Sequence, residues 1–280
     1  MPGTILGTKE CSVSINVRAG TADDLDVIVS LTRARRSELA ELEPQFFRAR
    51  SGADELHPLF LKYCLDNRDM TTLIASDPTG DVGCAIVQTQ CSHFWVDDFC
   101  VLDHRWDDVG EAIICAITVS PLVLCCPRHD HAQIRWLRNR NAQRVSEYHS
   151  IRLTTGEPQP QAPAAEPDVA PVHLAQAPTH TFANGELDPK APNALVIDNE
   201  AGYVIGTPPS SPPIYDPGGP TTIIDRIVGN NRAALLRQAA AFAYGRGDIQ
   251  LVVVCETNDT ELDTILTTAG STVPVEVWRL

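Results

Sequence analysis

The chain has 280 residues, 43% hydrophobic and 21% charged, a globular balance with room for two domains of ordinary size. Its 36 acidic against 22 basic residues give a net charge of -14, a field that disfavours nucleic acid and anionic membrane surfaces as partners. The start of the chain has no export-signal pattern and no apolar run approaches membrane-spanning length, so a soluble cytoplasmic protein is expected. The nine cysteines form no CxxC pair and lie in apolar runs, which reads as small buried hydrophobes, with no metal and no disulfide framework expected.

In chain order, residues 1–14 are expected to be a frayed terminus. A short strand is predicted over 15–18. Thr21-Ala22-Asp23-Asp24 has the form of a helix N-cap with an acid three residues on, and Leu25, Ile28, Val29 and Leu31 follow at near-helical spacing. A second helix is predicted over 53–65, with Leu56, Leu59, Phe60 and Tyr63 along one side. A hairpin over 71–90 comes next, then a strand over 94–101, a helix from about 109 to 119 and a strand over 122–126. A helix over 132–140 and a strand over 145–153 close the first unit.

Between 154 and 192 the composition shifts to an Ala/Gln/Pro-rich stretch without periodicity, and Pro158, Pro160, Pro163, Pro167, Pro171 and Pro178 mark it as a linker of polyproline II character. The unit over 193–280 then repeats much of the first. NALVIDNEAGYVIG at 193–206 matches TTLIASDPTGDVGCAIV at 71–87, and LVVVCETNDTELDTIL at 251–266 matches LVLCCPRHDHAQIRWL at 122–137, each of the latter an apolar strand, a polar turn with Asp259 or Asp130, and a helix. Self-similarity on this scale denotes a duplicated unit. The second copy continues with a strand over 221–228, a helix over 232–244, and strand, helix and strand to the end. It has no counterpart of the two N-terminal helices.

The order strand, two helices, hairpin, strand, helix, strand, helix, strand resembles that of the GNAT superfamily of acyl-CoA N-acyltransferases, and Val17-Arg18-Ala19-Gly20-Thr21-Ala22-Asp23-Asp24-Leu25 is similar to the usual opening of such domains. Val96-Asp97-Asp98-Phe99-Cys100-Val101, followed by Trp106-Asp107-Asp108-Val109-Gly110-Glu111-Ala112, resembles a bacterial subfamily with the pattern V-D-D-F-x-V then W-x-x-V-G-x-A. Glu55-Leu56-His57-Pro58-Leu59-Phe60-Leu61 and Ser146-Glu147-Tyr148 are similar to its second helix and last strand. The second copy carries Pro213-Ile214-Tyr215-Asp216-Pro217-Gly218-Gly219-Pro220, another signature of that subfamily.

The resemblance implies an α+β fold: two GNAT-like lobes over 15–153 and 193–280, each a central mixed β-sheet flanked by helices, the second partial. It implies transfer of an acetyl or other acyl group from acyl-CoA to a small-molecule or peptide amine. The cofactor would lie against the main chain of Cys100, Val101, Val109, Gly110, Glu111 and Ala112, at a helix N-terminus suited to a pyrophosphate. Asp97, Asp98, Tyr148 and Glu147 are the candidate acid and base groups, with His129 and the weaker His57 beside them. Adjacent residues on a strand face opposite ways, so one of Asp97 and Asp98 is expected in the cleft. His57 is expected to bond to main chain, and Trp106 and Trp136 to be core or lid aromatics.

Two features leave a second reading open. Asp107 stands where the family has Gln or Arg, and Asp107 or Asp108 is expected to cap the helix amides that a pyrophosphate would need. The turn Gly229-Asn230-Asn231 of the second copy is too short for a cofactor loop. The alternative is a catalytically inactive GNAT-fold binding or scaffold protein. The second lobe is read as packing on the first in place of a partner subunit, giving a monomer, with a homodimer or a composite site between lobes as the alternatives.

Overall fold

A computed structural model describes residues 14–89, 93–153, 195–199, 202–207, 214–216 and 218–280. The predicted frayed terminus, apart from Ser14, and the proline-rich linker lie outside them. The first unit comprises β1 (Asn16–Ala19), α1 (Leu25–Leu42), α2 (Ala53–Asp66), β2 (Met70–Asp77), β3 (Gly80–Thr89), β4 (Phe94–Val101), α3 (Glu111–Ala116), β5 (Leu122–Pro127), α4 (His131–Asn139) and β6 (Gln143–Arg152). The second comprises β7 (Leu195–Asn199), β8 (Gly202–Thr207), β9 (Thr221–Gly229), α5 (Arg232–Gly245), β10 (Gln250–Glu256), α6 (Thr260–Thr268) and β11 (Thr272–Arg279).

Local chemistry explains where these elements start and turn. Ahead of α1, the Thr21 amide donates to the Asp24 carboxylate at 2.8 Å, as its spacing predicts. Asp130 and Asp259 cap α4 and α6 identically, each side chain accepting from the amide three residues on. Gly80 and Gly202 turn the two equivalent hairpins with φ of 137° and 136°, a conformation in which a Cβ would be strained. These shared details are the duplication seen at the level of single hydrogen bonds.

All eleven strands form one mixed sheet in the order β1-β2-β3-β4-β5-β11-β6-β10-β9-β8-β7. Apart from β1 the order is symmetric about the central pair, because the last strand of each copy sits in the other copy's half. Strand β11 pairs antiparallel with β5 as well as β6, and β6 pairs antiparallel with β10. The side chains follow the strands. Trp278 of β11 is buried in the core beneath α3 and α4, while Ile151 and Leu153, on and just after β6, are buried in the core beneath α5 and α6.

Two predicted elements differ. The second helix buries Ala53, His57, Leu61 and Cys64, leaving Leu59 66% and Tyr63 57% exposed. Both stripes have helical spacing; the one holding a histidine is buried because His57 finds polar partners inside. The helix predicted over 109–119 is a wide π-helical turn, Trp106–Gly110, followed by the six residues of α3, ending where Ile117 turns extended. Cys125 and Cys126 do face opposite sides of β5, although Cys115 is exposed. Among the described residues no helix is long and apolar enough to cross a membrane.

Exchanged strands make each half incomplete alone. Urea unfolding followed by tryptophan fluorescence and by circular dichroism is expected to give one coincident transition, and Trp278→Ala should lower stability by about 3–5 kcal/mol in that single step. Two separated transitions would contradict this coupling.

Candidate functional site

Strand β4 sets the geometry of the N-terminal half. It runs parallel to β5 only over Phe94–Val96 against Leu122–Leu124, and then the two diverge. The divergence coincides with a bulge: Ile86 faces Asp97 and Cys84 faces Cys100, so two steps along β3 are matched by three along β4. Asp98 takes up the extra residue with φ of 40°. The bulge cancels strand alternation, so Asp97 and Asp98 both act on Cys64 of α2. The strict alternation expected of Asp97 and Asp98 is therefore interrupted at the bulge.

The two carboxylates differ in their partners. His57 is fully buried, and its Nε2 lies 2.9 Å from Asp98 Oδ2. Its Nδ1 meets the Arg36 guanidinium, which can only donate, so Nδ1 accepts and the proton sits on Nε2. Arg36 also donates to Asp54 at 2.7 Å. A chain Asp54–Arg36–His57–Asp98 thus fixes Asp98, and His57 bonds to side chains rather than to main chain. Asp97 accepts from the Asp98 amide at 3.0 Å and, among the described residues, has no side-chain partner; burial, and then the charge of Asp98, push its carboxyl up to about 7.

The second half repeats this arrangement. Strand β9 pairs parallel with β10 over Thr221–Ile224 and carries its own extra residue at Asp225, whose carboxyl burial pushes up to about 6. The charges of Asp97 and Asp225 both act on Tyr148, whose phenol burial holds well above its ordinary range. Cys125 Sγ lies 3.7 Å from the Tyr148 oxygen. Tyr215, from the second copy's proline-glycine insert, crosses to the first copy. It forms a β-bridge with Ala49, stacks edge-on to Phe47 at 5.1 Å, and is half-buried, with the charges of Asp98 and Asp97 acting on it. Asp97 and Asp225, one from each copy, thus both act on Tyr148, and Asp98 and Asp97 act on Tyr215.

Other predicted residues lie elsewhere. Glu147, next to Tyr148 on β6, shares a face with His149 and points toward α6, so it does not join Asp97. His129 pairs with Glu43 at 2.5 Å on the surface. The amides of Val109 and Gly110 donate to the Arg105 carbonyl, and that of Glu111 to the Asp108 and Trp106 carbonyls, so the π-turn uses the donors expected for a pyrophosphate. Ala112 is half-buried in the first turn of α3, and Cys100 and Val101 are buried on β4. Asp108 does take up one of these amides, its Oδ1 accepting from the Val109 N–H at 2.8 Å while its Oδ2 pairs with Arg105 at 2.6 Å, and Asp107 is exposed.

The gap between β4 and β5 is filled. Trp106 stacks on Trp136 at 5.6 Å, and Phe99 packs edge-on against both at 5.1 and 5.8 Å. Arg35 comes from α1 on one side of the sheet and reaches partners on the other. It bonds Asp130 at 2.8 Å and Gln133 at 3.0 Å, lies 5.3 Å over the Trp106 ring, and is 7% exposed. Its charge acts on Cys100 of β4 and Cys126 of β5, the two edges of the gap. Sequence reasoning passed over Arg35, though its position in the series Ile28, Leu31, Arg35 placed it on the buried face.

The equivalent gap between β9 and β10 is open, a cavity of about 380 Å³ lined by Asp225, Arg226, Arg232, Glu256, Asp259 and Glu261 among others. Arg232 is neutralised there by Asp259 and Glu261, each at 2.5 Å. Asn231 caps the adjoining helix, its side chain accepting from the Ala234 amide at 3.1 Å.

Together, the parallel strands that splay after a bulge, the flanking helices and the duplication define a tandem GNAT fold. Among solved structures, the chain is similar to a GCN5-related N-acetyltransferase from Sphaerobacter thermophilus, with a TM-score of 0.52, 12% identity and 95% of each chain covered. It is similar over 95% of its length to 98% of a tandem GNAT protein from the clavulanic acid biosynthesis pathway, with a TM-score of 0.50 and 12% identity. A GCN5-related glucosamine N-acetyltransferase region of a fungal multi-domain GH3 beta-N-acetylglucosaminidase gives a TM-score of 0.56 at 10% identity, over 97% of this chain and 38% of that one. No family model and no curated protein matches the sequence. These likenesses establish the fold.

Removing His57 leaves Arg36 and Asp98 facing an empty buried space, so His57→Ala should cost about 3–5 kcal/mol in chemical denaturation. Asp97 binds its proton more tightly folded than unfolded, so its contribution to stability is present below pH 3.8 and is lost as pH rises through about 7. Asp97→Asn should accordingly raise the melting temperature at pH 8 and leave it nearly unchanged at pH 4.

Proposed function

We propose that the protein is a GNAT-fold binding protein that does not use the groove of its N-terminal half for acyl transfer, and that its ligand is an amine-bearing cation. The observation that carries this reading is the Arg35 guanidinium lying across the β4–β5 gap. Acyl-CoA does not fit there: its chain would have to displace a buried ion pair and an aromatic cluster, and its pyrophosphate would find the turn amides already bonded. The open gap of the C-terminal half suits an anion no better, because four carboxylates outnumber two guanidinium groups on its wall. The same charges favour a cation. An ammonium ion approaching Asp97 and Asp225 would draw their protons off and gain charge-assisted hydrogen bonds. The net charge of -14 would steer such ligands inward.

A second reading, acyl transfer to an amine, rests on Asp97. A carboxyl near 7 is matched to take a proton from an ammonium ion at neutral pH.

Calorimetric titration separates the two. Acetyl-CoA is expected to give no binding heat with the native protein, whereas a polyamine or aminoglycoside-type amine should bind and raise the melting temperature. Asp225→Asn should weaken the amine. Micromolar binding of acetyl-CoA would overturn the proposal in favour of the second reading.

A further inference from the structure

On the opposite face of β6 from Tyr148, Glu147 and His149 project side by side toward α6, where Asp263 meets them. His149 Nε2 lies 3.6 Å from Glu147 Oε2 and 3.6 Å from Asp263 Oδ1. The histidine side chain is 1% exposed, and among the described residues its Nε2 has no hydrogen-bond partner. A buried ring nitrogen without a partner is costly.

An imidazolium held between two carboxylates would draw at least one of them to the 2.7–2.9 Å of a charge-assisted hydrogen bond, as is typical. Equal separations of 3.6 Å instead match ligands that share a third atom. With metal–ligand bonds of about 2.0–2.2 Å, tetrahedral geometry spaces ligand atoms about 3.4 Å apart. All three donor atoms here lie within 4.8 Å of one another.

We propose that Glu147, His149 and Asp263 form a divalent-metal site of the zinc type, tying the last strand of the first copy to the last helix of the second. The surroundings suit it. His149 Nδ1 lies 2.9 Å from the Ser271 hydroxyl, the kind of outer partner that fixes the ring of a metal-bound histidine. Arg144 holds the other oxygen of Glu147, leaving Oε2 for the ion. Asp263 is 55% exposed, which gives the ion an entry path and leaves a fourth position for water. Cys255 stands opposite Glu147 on β10, but its thiol points to the carbonyls of Glu256 and Asp259 at 3.6 and 3.7 Å, so the ligand set is nitrogen and oxygen. One histidine and two carboxylates suit Zn²⁺ or Co²⁺.

The test uses the full chain, stripped with a chelator and titrated with Co²⁺ under calorimetry and absorption spectroscopy. One equivalent should bind, with visible d–d bands, no sulfur-to-cobalt charge-transfer band, and a rise in melting temperature. Asp263→Asn, on an exposed helical position that folding does not need, should lower the affinity by at least about tenfold, the loss that even outer partners of a metal can cause. His149→Gln should abolish the stoichiometric site. Absence of a bound equivalent, a charge-transfer band from cysteine ligands, or equal binding by Asp263→Asn would each overturn the assignment.

Discussion

The pairing of β6 with β11 is the constraint on which the rest of the molecule depends. Each is the last strand of its own copy, and each completes the other copy's half of the sheet. The bonding requirement of strand edges explains why. Without β11, β5 would present a row of unpaired main-chain groups beside Trp278's place in the core; without β6, β10 would do the same. A duplicated unit that closes its sheets in this way buries edge and apolar surface in one step. It also brings the bulges of β4 and β9 toward a common centre, which is why Asp97 and Asp225 act on one tyrosine.

From that shared frame the halves have diverged by side chain rather than by backbone. Both keep a parallel pair that splays after a bulge. In the first, a guanidinium buried among Asp130, Gln133 and Trp106 occupies the gap. A buried cation is stable only with such partners, so the cap of α4 and the plug of the gap are one interaction. In the second, which has no counterpart of α1, Arg232 of α5 pairs instead with Asp259 and Glu261, and the gap stays open.

Much of the fold was legible because it rests on local chemistry and period. The capping acids at Asp24, Asp130 and Asp259, the glycine turns and the strand–helix alternation all act within a few residues, and so the element order and the duplication could be read directly. The candidate site was legible in part. The charge of Asp97 does act on Tyr148, but the bulge that interrupts alternation at Asp97 and Asp98 is a property of two strands in register. The buried face of α2 was misjudged because His57, expected to bond to main chain, finds its side-chain partners Arg36 and Asp98 on other elements.

By itself, then, the chain determined its elements, their repetition and the family of folds they resemble, because caps, turns and hydrophobic period are set by near neighbours. Only the tertiary structure decided which strand closes which half, that Arg35 reaches through the β4–β5 gap, and that Glu147 turns away from Tyr148 toward His149 and Asp263. Those outcomes depend on groups separated by about a hundred residues or more. Their meeting is fixed by sheet order and side-chain direction, which local sequence does not encode.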